Sequence, residues 1–135
     1  MTKKQLTRLH NLVYLKYRDR VKIEFIDAEA DDFSAYVGSD RITLPACTKN
    51  TQSEWTLFAF LHEIGHIITY FPGSKVYEME YMATQWAISE AALMGFQVPG
   101  WILETYQEYI YKHRESAIAR HGKNILPKSR VKLKV

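Results

Sequence analysis

One cysteine, Cys47, stands in a chain of 135 residues. A lone cysteine excludes an internal disulfide framework and suits a reducing, cytoplasmic compartment. Long apolar runs are missing as well, and none approaches the roughly 20 residues that cross a bilayer. The N-terminus, Met1-Thr2-Lys3-Lys4-Gln5, has neither the apolar stretch nor the small-residue cleavage site of a secretory leader. Repeats and low-complexity tracts are absent. Prolines number four and act as punctuation: Pro45 after a strand pattern, Pro72 and Pro99 between helical patterns, Pro127 near the end. What is present is 47% hydrophobic against 24% charged residues, enough for a core and too apolar for wholesale disorder. We expect one domain over residues 1–122, then a basic tail, 123–135.

The net charge of +3 hides an uneven distribution. Residues 1–20 carry +5, residues 21–40 carry −5, residues 41–110 carry −4 and residues 111–135 carry +7. An acidic middle between basic ends is read as solvated helix faces and a solubilising tail, with no direct binding of nucleic acid and no membrane contact.

Leu6, Leu9, Leu12, Val13 and Leu15 recur at near-helical spacing behind Thr2, a good N-cap, and predict a helix over Lys3–Tyr17. Val21–Ile26 alternates apolar and polar as a half-buried strand does. Ala35-Tyr36-Val37 and Arg41-Ile42-Thr43-Leu44 flank Gly38-Ser39-Asp40 and read as a hairpin. Three further helices follow: Ser53 to about Tyr70, Val76 to Met94 before Gly95, and Trp101 to about Arg120 before Gly122. The segment from Asn124 on has no helical period and is expected to be extended or disordered. The fold class is α+β, with a small, mostly antiparallel three-stranded sheet packed on the helices.

Chemistry resides in Leu61-His62-Glu63-Ile64-Gly65-His66. Two histidines four apart on a helix project from one face and reach one ion. Glu63 lies about 100° around the helix from His62, beside such an ion, where it can take a proton from water. In a chain of this composition the pattern arises by chance about once in 75 shuffles, so alone it only suggests a site. The neighbours add weight. Phe58, Ala59, Leu61, Ile64, Ile67 and Ile68 mark a buried helix, and buried ring nitrogens need partners. A shared metal is the simplest one.

Catalytic zinc commonly takes three protein ligands. Glu78 and Glu80 in the next helix are two residues apart and cannot both face the same ion. Glu80 continues through Ala83, Ala87, Ala91 and Met94, a small-residue stripe that lets two helices approach. Glu80 is therefore the expected third ligand, and Glu78 is read as solvated or as a partner of a ligand histidine. Gly65 similarly leaves room for another backbone.

Phe58-Ala59-Phe60-Leu61-His62-Glu63-Ile64-Gly65-His66 followed by Glu80-Tyr81-Met82-Ala83-Thr84-Gln85-Trp86-Ala87 resembles the ImmA/IrrE-like metallopeptidases. The likeness spans about residues 20–99 and includes the Arg41–Leu44 strand. It implies a gluzincin-type core, one Zn2+ held by His62, His66 and Glu80, and Glu63 as catalytic base. It also implies a protein substrate, such as a helix-turn-helix repressor of a phage or mobile element. An alternative is a catalytically silent zinc-fold module that docks a protein or nucleic-acid partner through its basic ends.

Amide hydrolysis needs a donor for the oxyanion. Tyr70, Tyr77, Tyr81, Tyr106 and His113 are candidates, and Tyr77 is favoured because it lies just before Glu80. A peptide substrate can add as a strand beside Ala35–Val37 or Arg41–Leu44. Trp55, Trp86, Trp101, Phe58, Phe60 and Phe96 are read as core, His10 and His121 as surface residues, and Cys47 as incidental. The acidic loop Asp27–Asp32 lacks the spacing of a calcium loop.

Overall fold

The computed structural model describes residues 1–50, 52–122 and 124–135, and of His121 only the backbone. The expectation of a surface His121 therefore lies outside the described side chains, as does Lys123 at the start of the expected tail. Helix α1 spans Lys3–Tyr17 and opens with a reciprocal cap: the Gln5 amide donates to Thr2 Oγ1 at 3.1 Å, and the Thr2 amide to Gln5 Oε1 at 2.8 Å. Leu6, Leu9, Val13 and Tyr17 are its buried stripe, whereas Leu12 and Leu15 face outward.

Strands β1 (Lys22–Ile26), β2 (Ser34–Tyr36) and β3 (Arg41–Pro45) form one sheet in the order β1-β3-β2. The hairpin is present: β2 runs antiparallel to β3, with Ala35 opposite Ile42. The expected mostly antiparallel sheet is corrected to a mixed one, because β1 pairs with β3 in parallel, Ile23 opposite Ile42 and Phe25 opposite Leu44. The reason is burial. β3 is buried from Ile42 through Pro45 and takes the centre, while the chain between Ile26 and Arg41 is long enough to make the crossover a parallel pair requires.

Helices α2 (Glu54–Ile68), α3 (Val76–Leu93) and α4 (Gly100–His121) complete an α+β fold of four helices and three strands among the described residues. Ser53 caps α2 as expected, accepting from the Thr56 amide at 3.1 Å. Glu78 accepts from the Lys75 amide at 3.1 Å and so serves the N-terminus of α3. Gly122, at φ 63°, closes α4 in the left-handed region. One apolar cluster joins α1, the sheet, α2 and the inner face of α3. A second gathers Tyr77, Ile110, Ala117 and Val131.

The C-terminal segment is not a free tail. Residues 124–135 dock in the second cluster across α3 and α4, with Val131 fully buried. Gln107 donates to the Val131 carbonyl at 3.0 Å and accepts from the Leu133 amide at 2.7 Å; Gln85 brackets Lys134 in the same way at 2.7 and 2.9 Å. A side-chain amide carries both donor N–H groups and an acceptor oxygen, so it pairs with an extended backbone as another strand would. No helix among the described residues is long and apolar enough to cross a membrane.

Candidate metal centre

The position of α2 is set at both ends of its buried face. Near its start, Thr56 Oγ1 lies 3.2 Å from Nε2 of His10, which is buried rather than at the surface as expected. Toward its end, Gly65 admits α3. A Cβ at Gly65 would stand 2.6 Å from the Ala83 carbonyl oxygen, so only glycine permits this approach. Ala83, Ala87 and Ala91 are fully buried along the same contact, which is the small-residue stripe the spacing predicts.

That contact delivers Glu80, one turn before Ala83, to the two histidines. Glu80 Oε2 lies 3.0 Å from His62 Nε2 and 3.2 Å from His66 Nε2. Glu63 joins them, its Oε1 3.5 Å from His62 Nδ1, and ligand atoms of His62, Glu63 and His66 all fall within 4.8 Å of one another. Glu78 belongs to the helix N-terminus instead.

Whether these residues suit a metal can be judged on one atom. His62 Nε2 is buried and has no hydrogen-bond partner among the described residues. Glu80 is close to it but not aligned as an acceptor, and an orphaned buried ring nitrogen is costly. Donors on a tetrahedral zinc, about 2.0–2.1 Å from the ion, stand about 3.3 Å apart. The observed 3.0 and 3.2 Å match that edge closely. His62, Glu63 and His66 form a group that could hold a metal ion, with Glu80 within reach of both rings.

The charges point the same way. Burial alone would push a proton off His62, but the Glu63 and Glu80 carboxylates outweigh it and hold the ring up at about 9. Burial would likewise raise Glu80, yet the close imidazoles of His62 and His66 hold its carboxyl well below the usual carboxylate range. The pocket around Glu80 thus favours a positive charge beside its carboxylate, which a proton or a metal cation can provide.

The centre opens on a cleft of about 700 Å³. Its floor is the Trp55–Ala59–His62–Glu63–His66 face of α2, and α4 contributes Thr105, Tyr106, Glu108, Tyr109 and Lys112. Ser34 and Ala35 of β2 form the facing wall. β3 is paired on both sides and offers no edge, so of the two strands expected to receive a peptide only β2 remains.

Tyr77, the favoured oxyanion donor, is corrected. It is fully buried in the second cluster, its hydroxyl accepting from the Leu126 amide at 3.0 Å, because α4 and the C-terminal segment close over the first turn of α3. Tyr106 faces the cleft instead, its ring centroid 4.7 Å from that of His62. Tyr109 lies one turn further along α4 and was not among the expected donors; the spacing of 105, 106, 109 and 112 on one helix face is the signal that finds it. Burial, then Glu63 and Glu80, push the Tyr106 hydroxyl far up, and burial, then Glu80 and Glu63, raise that of Tyr109. Trp101 departs from the core reading: it is 57% exposed and stacks on Trp55. Comparison with family models, curated proteins and solved structures returns no match for this chain.

Proposed function

We propose that this chain is a zinc-dependent peptidase of gluzincin type, holding one Zn2+ through His62, His66 and Glu80. The observation that carries this reading is the convergence of two imidazole nitrogens and one carboxylate oxygen at the floor of an open cleft, one nitrogen buried and unbonded. Zinc there supplies Lewis-acid polarisation of water and of a scissile carbonyl. Glu63, beside the ligand set, accepts the water proton and returns it to the leaving amine. The protonated phenols of Tyr106 and Tyr109 donate to the oxyanion as charge develops. The outer edge of β2 binds the substrate backbone as an added strand. In line with the resemblance, the substrate is a cytoplasmic protein such as a helix-turn-helix repressor.

Metal analysis is the first test. Wild type and Glu63→Gln carry one zinc per chain, and His62→Ala carries none; equal zinc in all three sinks the ligand assignment. Co-expression with a repressor encoded beside the gene is the second. The repressor is lost with wild type and persists with Glu63→Gln, and equal loss in both rules out hydrolysis that depends on Glu63.

A further inference from the structure

The wall of the cleft is not uniform. α2 and α4 both line the cleft, and a file of aromatic rings from these two helices runs from the outside to the metal centre. Trp101 stacks on Trp55 with centroids 5.7 Å apart and planes 14° from parallel. Trp55 meets Tyr106 at 5.5 Å, and Tyr106 meets His62 at 4.7 Å. Between Trp55 and His62 on the same face of α2 stands Ala59, the one small side chain that this helix gives to the cleft. The charged residues that α4 places in the cleft, Glu108 and Lys112, come after Tyr106 on that helix.

An exposed indole held in parallel contact with another does nothing for the core. It does fix the plane of Trp55 and present a rigid apolar surface beside the reacting position. On the facing wall, Phe33, Ala35 and Val37 are apolar, beside the polar Asp31 and Ser34. A chain added to β2 alternates its side chains, so every second one points into the cleft. One placed near His62 meets the space above Ala59, walled by Trp55 and Tyr106.

We infer that Trp55, Ala59 and Tyr106, with Trp101 as backing, form a subsite for an aromatic side chain of an extended peptide, immediately beside the metal centre. That the neighbouring bond is the one hydrolysed rests on the peptidase reading; the binding preference does not.

The test uses Glu63→Gln protein and capped hexapeptides that differ at one central residue, Ala, Leu or Phe, with binding read from tryptophan emission. The Phe peptide binds at least tenfold tighter than the Ala peptide, with Leu between them, and it changes the emission of the Trp55–Trp101 pair. Ala59→Phe fills the subsite and abolishes the preference while the Ala peptide still binds. Trp101→Ala, at the exposed lip, reduces the preference and serves if Ala59→Phe does not fold. Equal affinity for the Ala and Phe peptides, no binding of either, or a preference untouched by both substitutions overturns the subsite. Wild-type protein given the same Phe peptide separates the two readings: tight binding to Glu63→Gln without cleavage by wild type removes the peptidase assignment and leaves the subsite standing.

Discussion

Single side chains here act mainly by what they permit or compel in a neighbour. Gly65 binds nothing, yet it sets the distance between α2 and α3 and with it the reach of Glu80. A methyl group at Gly65 collides with backbone, which cannot swing aside as a long side chain can. Gly65→Ala is therefore expected to destabilise the metal-free protein by about 2 kcal/mol net of the helix propensity it gains, and to weaken zinc binding at least tenfold. Urea unfolding and a competitive zinc titration measure the two effects, and a stabilised variant with unchanged affinity contradicts the argument. His10 acts through its charge. Burial lowers its ring to about 4 against an unfolded value of 6.5, partly offset by a hydrogen bond with the Ser53 backbone. Between those values the unfolded chain binds the proton first, so stability falls as pH drops from 6.5 toward 4 and is unaffected by this group above that window. The loss by pH 4.5 is about 2–3 kcal/mol, and His10→Gln should flatten that part of the pH–stability curve. At this scale the sequence was readable where spacing alone decides, as for His62 and His66. It was not readable for Tyr77 and Tyr109, whose surroundings come from α4 and the C-terminal segment.

Elements behave less locally. The helices and the hairpin follow from periodicity and caps, and Thr2, Ser53 and Gly122 sit where such signals place them. Strand order does not follow from them, because alternation in β1 says nothing about which strand lies beside it; the burial of β3 decides that. The C-terminal segment is the larger departure. Its lysines made it look like a solvated tail, but Val131 and Leu133 alternate with Lys132 and Lys134, and glutamines on two helices hold its backbone. It ties α3, which carries Glu80, to α4, which carries Tyr106. Val131→Ala should lower stability by about 2 kcal/mol, read from the urea midpoint at constant slope. Gln107→Ala removes both bonds to the segment and should lower stability by about 1 kcal/mol, whereas neutral outcomes in both variants mean the segment is not a bracing element.

Across the whole molecule, the centre lies where the apolar cluster around α2 meets the open cleft, and its residues come from two helices. A cation bound only by the native arrangement stabilises it by mass action. If the proposed site binds zinc, the free ion at 100 times its dissociation constant should add about 2.7 kcal/mol, or roughly 10 °C in Tm for a chain of this size. Chelation should reverse that shift in wild type and leave His62→Ala unmoved, as calorimetry with and without EDTA would record. The helices, the hairpin and the HExxH face were legible along the chain, because they depend on neighbours within a few residues. The sequence also indicated Glu80, because a stripe of alanines is a local sign of close packing. The parallel pairing of β1 with β3, the replacement of Tyr77 by Tyr106 and Tyr109 at the cleft, and the docking of the C-terminal segment emerge only in the folded chain. Each of these depends on which distant surfaces bury one another, and that is a property of the packed whole rather than of any stretch of sequence.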